Sequence, residues 1–369
     1  MADRLFAATR KGLFTIDRSA AGWRVTRSAF LGDPVSIVMD AGGGWMYASL
    51  GLGHFGVKLH RSTDGGETWE ECGTPAYPPK PEGLDDRDGN GRPVEWRTEM
   101  IWALAPAGPD QPDALWCGTL PGGLFRSEDA GSTWELNRPL WDNPDRKKWF
   151  GGGAEIPGLH SICVDPRDSR RVLVGVSCGG AWLTEDGGAS WACRAQGMRA
   201  EYMPPERQFD PVIQDPHIVV QCRDEPEKLW AQHHNGIFRT TDGAGSWQEI
   251  KDVPPSVFGF AVAVHPQDGD TAWFVPAVKD ERRIPVDGKV VVTRTRDGGK
   301  SFDVLREGLP QEHAYDLTFR HALDIDGSGD RLAFGSTTGS LWVTEDQGDH
   351  WQCVSSNLPP VYCVRFARS

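Results

Sequence analysis

One eight-residue pattern recurs along this chain and limits its fold more than any other feature: Ser/Thr-x-Asp-x-Gly-x-Ser/Thr-Trp. It reads STDGGETW ending at Trp69, SEDAGSTW at Trp134, TEDGGASW at Trp191, TTDGAGSW at Trp247, TRDGGKSF at Phe302 and TEDQGDHW at Trp351. A degenerate seventh, TIDRSAAGW, ends at Trp23. Successive ends lie 46, 65, 57, 56, 55 and 49 residues apart. Periods of this size mark repeat architectures. The Asp carboxylate can accept from turn amides and Gly supplies positive φ, so each copy reads as a hairpin turn with a structural role. Two copies deviate: Ala244 replaces the usual Gly, and His350 replaces the usual Ser/Thr.

Each copy follows the same run of strand-like segments. GLFRS, GAWLT, GIFRT and GSLWVT lead into the turns. Before them come runs such as ALWCGTL, RVLVGVS and KLWAQHH, and earlier still MIWALAP, LHSICVDP, HIVVQC and GFAVAVHP. A fourth strand follows each Trp. Four strands in each of seven units predict an all-β, seven-bladed propeller. The segment RLFAAT enters as the second strand of a blade, and PVYCVRFA is a first strand without followers. Together they complete one blade, so the C-terminal strand closes the ring and removes exposed edges. The expected organisation is one domain, residues 1–369. The 44 Gly and 27 Pro suit its many turns, and the 16 Trp are largely explained by the repeat.

The net charge of −13 argues against nucleic-acid binding and against a polybasic membrane anchor. No apolar run reaches about 18 residues, so no membrane span is expected. The opening MADRLFAATRKGLF has no apolar signal region. Cysteines 72, 117, 163, 178, 193, 222, 353 and 363 form neither C-x-x-C nor a zinc spacing. They read as reduced thiols, which points to the cytoplasm.

Ligands of propellers gather over the channel, on the face opposite the repeat turns. Long segments reach that face: crossovers at about 72–98, 136–158 and 194–216, and an inner loop over 276–289. Loops of this length are more often functional than decorative. Aligning the blades places His160, His217 and Arg320 at equivalent mouths of the innermost strands, with Glu99 within one residue of that level. The second-to-third strand loops add Arg10, Lys11, His54, Cys178, Gln232 and Asn235. Strand alternation sends His233 and His234 to opposite faces, and His234 is the one expected at the channel.

Histidines with a carboxylate suit a divalent metal with open positions, and Arg suits a substrate carboxylate. His160, His217 and His234 are the candidate metal ligands. Glu99, His160, His217, His234 and Arg320 are the candidate catalytic set, and Arg10, Lys11, His54, Gln232 and Asn235 candidate substrate contacts. A histidine at such a place also serves by bonding a strand-end carbonyl, so a metal-free ligand site and a purely structural ring stay open. Two further loops have the alternating oxygens of calcium sites: Asp86, Asp88 and Asn90 before Gly91, and Asp324, Asp326 and Ser328 before Gly329. Both lack the Glu of an EF-hand loop at the twelfth position.

The repeat itself is the Asp-box, or BNR repeat. With TRKGLF, GHFG, GGLFRS, GLHSI, QHHNGIFRT, FGF and FRHALD, the chain resembles a bacterial family of seven-bladed, sialidase-like BNR proteins. These are commonly labelled glycosyl hydrolases or exo-sialidases by similarity. The resemblance implies a shared constellation of His54, His160, His217, His234 and Arg320. A true exo-sialidase is not expected: those propellers have six blades, three arginines for the substrate carboxylate and a Tyr–Glu nucleophile pair. Glycoside hydrolysis needs two carboxylates about one bond, for which Glu99 with Glu155 or Asp316 are the candidates. The expectation is a small polar or carbohydrate-like ligand at the channel mouth, bound or transformed, with metal assistance open. The alternative is a protein-binding or assembly scaffold using the same face.

Overall fold

The computed structural model describes residues 1–152 and 154–368. The chain forms seven four-stranded antiparallel sheets arranged as a β-propeller. Blade 1 is built from both chain regions, in the order Val361–Phe366, Arg4–Thr9, Gly12–Ser19, Gly22–Ala29. Leu5 pairs with Phe366 and Ala8 with Cys363, which closes the ring. The innermost strands of blades 2 to 7 are Val35–Gly42, Met100–Pro106, Leu159–Asp165, Pro216–Gln221, Gly259–Val264 and Leu323–Ile325. Each touches the innermost strand of the next blade, and the strand Val361–Phe366 touches both blade 7 and blade 2.

The apolar residues bury between blades. Trp116 and Leu124 of blade 3 share a core with Val172, Val174 and Trp182 of blade 4. The repeat turns supply the rest. In STDGGETW, the Asp64 carboxylate accepts from the N–H groups of Glu67 and Thr68 at 2.9 Å and from the Thr68 hydroxyl at 2.6 Å. The two residues after the Asp have positive φ in every clear copy, at +71° and +82° for Gly65 and Gly66. The Trp closing the turn binds the preceding blade: Trp134 donates to the Gly73 carbonyl at 2.9 Å and Trp247 to that of Arg194 at 2.7 Å. In the last copy the His350 ring takes the place of the hydroxyl, 2.7 Å from Asp346.

Six blades share a second irregularity at the opposite end. The innermost strand carries one or two unpaired residues where it begins: Ser36, Trp102, His160, His217, Phe260 with Ala261, and Tyr362. A bulge of this kind re-aims a side chain out of the ladder. Here it turns six side chains to one level around the channel mouth.

The long crossovers 72–98 and 136–158 pack on each other. Asp86 is buried, and both its carboxylate oxygens take the Arg146 guanidinium, at 2.7 and 2.8 Å. Trp96 donates to the same carboxylate at 2.8 Å. Asp88 caps its own turn, accepting from the Asn90 and Arg92 N–H groups. The expected calcium site at Asp86, Asp88 and Asn90 is therefore corrected: an arginine and an indole hold the carboxylate a cation would need. In the second loop, Asp326 accepts from Ser328 and from Ala2, and Asp324 from the Phe366 N–H. These two carboxylates stitch blade 7 to blade 1.

Candidate functional site

The mouth is built from side chains that the bulges and strand ends deliver. His217 stacks on Phe260 with ring centres 4.4 Å apart, and His160 meets Trp102 edge-on at 5.5 Å. Arg320, just before the innermost strand of blade 7, lies between the rings of Trp102 and Phe260, at 4.8 and 5.3 Å. Contact with blades 3 and 6 at once is open only to a residue near the axis. Arg320 is 8% exposed, and its Nε and Nη2 have no hydrogen-bond partner among the described residues. Burial pulls this guanidinium down to about 10. His160 is fully buried, with Nδ1 2.8 Å from the Ser161 hydroxyl and Nε2 unpartnered among the described residues. Burial, then the Arg320 charge, holds its ring well below the usual imidazole range.

Asp215 is the carboxylate of this site. It sits two residues before His217, in QDPH, and is 2% exposed. Its Oδ1 accepts from the Ser177 hydroxyl and the Cys178 N–H, each at 3.0 Å. Its Oδ2 faces His234 Nδ1 at 3.4 Å and His217 Nε2 at 3.8 Å. Burial alone would raise its pKa. The His234 ring facing it and the charges of His217 and Arg320 outweigh that, so the carboxyl is held low. The opposite holds for His234: burial would lower it, but Asp215 outweighs burial and raises it. His217 donates from Nδ1 to the Gly259 carbonyl at 2.7 Å, leaving Nε2 toward Asp215.

The expected residues distribute unevenly around this centre. His217, His234 and Arg320 meet there, and His160 stands beside Arg320 but outside the Asp215–His217–His234 group. His233 turns away, as alternation requires: it is buried against Phe238 and accepts the Asp215 N–H at 3.0 Å. Glu99 is corrected. It is exposed, with Arg97 3.9 Å away as its ion-pair partner, and Trp102 occupies the level assigned to it. Gln232 is also corrected: it is buried and donates to the carbonyls of His233, Gly236 and Val257, so it is a strap and not a ligand contact. Asn235 accepts from the Glu201 N–H and ties down the third crossover. Arg10, Lys11 and His54 lie on the expected face, in exposed loops. Of the second-carboxylate candidates, Asp316 is engaged by Ser336 and Thr338, and Glu155 is exposed.

Asp215 was legible in principle. The spacing Asp-Pro-His puts both side chains on one face of an extended segment, so the residue two before the aligned histidine was the signal.

No protein-family profile matches the chain. An oligoxyloglucan-reducing end-specific xyloglucanase of Emericella nidulans is 37% identical over 270 residues, covering 66% of this chain and 31% of that protein. A sialidase of Bacteroides fragilis is 30% identical over 160 residues, covering 37% of this chain and 28% of its own. The chain thus spans about a third of the length of these relatives. Among solved structures, the GH74 xyloglucanase of Xanthomonas campestris superposes with a TM-score of 0.61 at 19% identity, over 99% of this chain and 52% of that one. YCF48 from Cyanidioschyzon merolae gives 0.57 at 15% identity, over 93% and 92%. At these identities the two structures speak for the fold alone, which hosts unrelated functions.

Proposed function

We propose that this propeller binds a small, polar, carbohydrate-like ligand carrying an anionic group, at the channel mouth opposite the repeat turns. Arg320 carries the reading. A buried guanidinium without a partner costs free energy, and Arg320 sits over both the Trp102 and Phe260 rings with two donor nitrogens unused among the described residues. That is the geometry of a clamp for a carboxylate. The xyloglucanase and sialidase relatives support a carbohydrate. The reading stops at binding, because hydrolysis needs two carboxylates about one bond and, among the described residues, Asp215 is the one carboxylate grouped with His217 and His234.

The ring acts as one domain in this reading. All eight cysteines are free, which favours a reducing compartment such as the cytoplasm. Titration calorimetry of metal-stripped protein with a hexuronic acid and with the matching neutral hexose tests the proposal. Binding of the acid alone, lost in Arg320→Met, is expected. Equal affinity for both sugars, or no loss in the variant, would overturn it.

A scaffold role is the second reading. Phe55, Phe209 and Tyr315 are 71%, 61% and 61% exposed, and all lie in loops on the mouth face. Exposed aromatics favour protein interfaces. A partner captured by the full chain and released by a triple Phe55, Phe209 and Tyr315 alanine variant, with Arg320→Met still binding it, would favour this reading over the first.

A further inference from the structure

We infer that Asp215 Oδ2, His217 Nε2 and His234 Nδ1 form the protein side of a divalent transition-metal site. These three atoms lie within 4.8 Å of one another. Two of the three side chains, Asp215 and His217, are already fixed from behind. Asp215 has committed Oδ1 to Ser177 and Cys178, which leaves Oδ2 free to face the imidazoles. His217 has committed its Nδ1 proton to the Gly259 carbonyl, which turns the Nε2 lone pair inward. The main chain of His234 is tied by its backbone N–H to the Asp215 carbonyl at 2.9 Å, and its ring packs against the Tyr202 ring edge-on at 5.0 Å. Outer contacts of this kind orient metal ligands and fix the tautomer.

The spacing fits an ion better than it fits direct bonds. Oδ2 stands 3.4 Å from His234 Nδ1 and 3.8 Å from His217 Nε2, longer than a good charge-assisted hydrogen bond. Around an ion with bonds of about 2.1 Å, neighbouring ligand atoms lie about 3.0 to 3.4 Å apart. For the two carboxylate–imidazole distances, closing onto a metal thus asks for shifts of a few tenths of an ångström. Two imidazoles and one carboxylate leave further positions open, as transition metals of zinc, iron(II) or manganese(II) type accept. Calcium and magnesium want oxygens and are not expected here. His234, at 27% side-chain exposure, marks the way in.

The same wall joins this site to Arg320. His217 stacks on Phe260, and Arg320 lies over Phe260 as well. A ligand with a carboxylate and an adjacent hydroxyl could give one group to Arg320 and the other to the metal. This ligand class, an α-hydroxy or sugar acid, rests on the function proposed above. The metal site does not.

Protein stripped with a chelator and titrated with cobalt(II), followed by visible absorption and calorimetry, tests the inference. One equivalent should bind with the absorption of an imidazole-ligated ion. His217→Ala and His234→Ala should each weaken binding by about 100-fold or more, while His160→Ala leaves it unchanged. Absence of cobalt binding by the parent protein would overturn the site. So would unchanged affinity in His234→Ala, a partly exposed position where folding should be retained. Cobalt bound without affinity for any sugar acid would sustain the metal and sink the ligand reading. Sugar acid bound by metal-stripped protein that takes no cobalt would do the reverse.

Discussion

The Arg320 guanidinium lies 4.8 Å from the centre of the Trp102 ring, although the two residues belong to blades three steps apart around the ring. The stack holds a charge at the axis that no described protein group neutralises by a hydrogen bond at Nε or Nη2. Unsatisfied buried donors cost about 1 to 3 kcal/mol. The aromatic contacts return about 1 to 2 kcal/mol. Arg320→Met should therefore stabilise the fold by about 1 kcal/mol, a small net after these opposing effects, while removing affinity for anions. Urea denaturation and ligand titration of the same variant check both halves. A less stable variant would mean that the guanidinium is a structural group.

Asp86 should behave as an ion-pair partner and not as a calcium ligand. Asp86→Ala leaves the Arg146 charge buried without a counterion, which typically costs about 3 to 5 kcal/mol. The loss should fall on the two crossovers that the pair joins, so limited proteolysis should cut within 72–98 and 136–158 first. Millimolar calcium should leave the melting temperature of the parent protein unchanged. A calcium-dependent rise would contradict the ion-pair assignment.

Ala244 occupies a left-handed position, φ +69°, where all five of the other clear repeats have Gly at +80° or above. An L-residue there costs about 1 to 2 kcal/mol, part of which Gly gives back through its freer unfolded chain. Ala244→Gly should raise stability by up to about 1 kcal/mol, read as a higher denaturation midpoint. Lower stability would show that the buried Ala244 methyl outweighs the backbone strain.

The repeat turns should make the fold acid-sensitive. The Ser190 hydroxyl, with that of Thr184, holds Asp186 at about 2, and the Ser301 hydroxyl and N–H hold Asp297 at about 2. Both folded values lie below the ordinary 3.8, so their contribution is complete above about pH 4 and disappears as the pH falls toward 2. Stability measured from pH 5 to pH 2 should fall with a slope that Asp186→Asn and Asp297→Asn each reduce. Slopes unchanged in both variants would show that other groups take up the protons.

Much of this was legible in the sequence because it depends on local chemistry repeated many times. Asp64 and its equivalents define a turn by spacing alone, and the strands around each turn follow by alternation. His217 and His234 could be placed at the mouth for the same reason. Glu99 could not be placed, because the bulge before Ala103 inserts Trp102 and shifts the level of the strand start. Gln232 looked like a ligand contact since its amide is polar, but its bonds run to the Val257 carbonyl and to its own hairpin. Partners distant in the chain are invisible in a pattern of near neighbours. Asp86 and Arg146 are 60 residues apart, and nothing in either local segment announces their pairing.

The bulges at the channel mouth have an evolutionary consequence. Ser36, Trp102, His160, His217, Phe260 and Tyr362 all stand where the backbone ladder is already interrupted. The detour is made by the main chain, and it is kept whether the side chain is a hydroxyl, an indole or an imidazole. A single mutation there can trade one ligand chemistry for another without disturbing strand pairing. The propeller therefore carries interchangeable positions around one axis, and new specificity can arise on it one residue at a time.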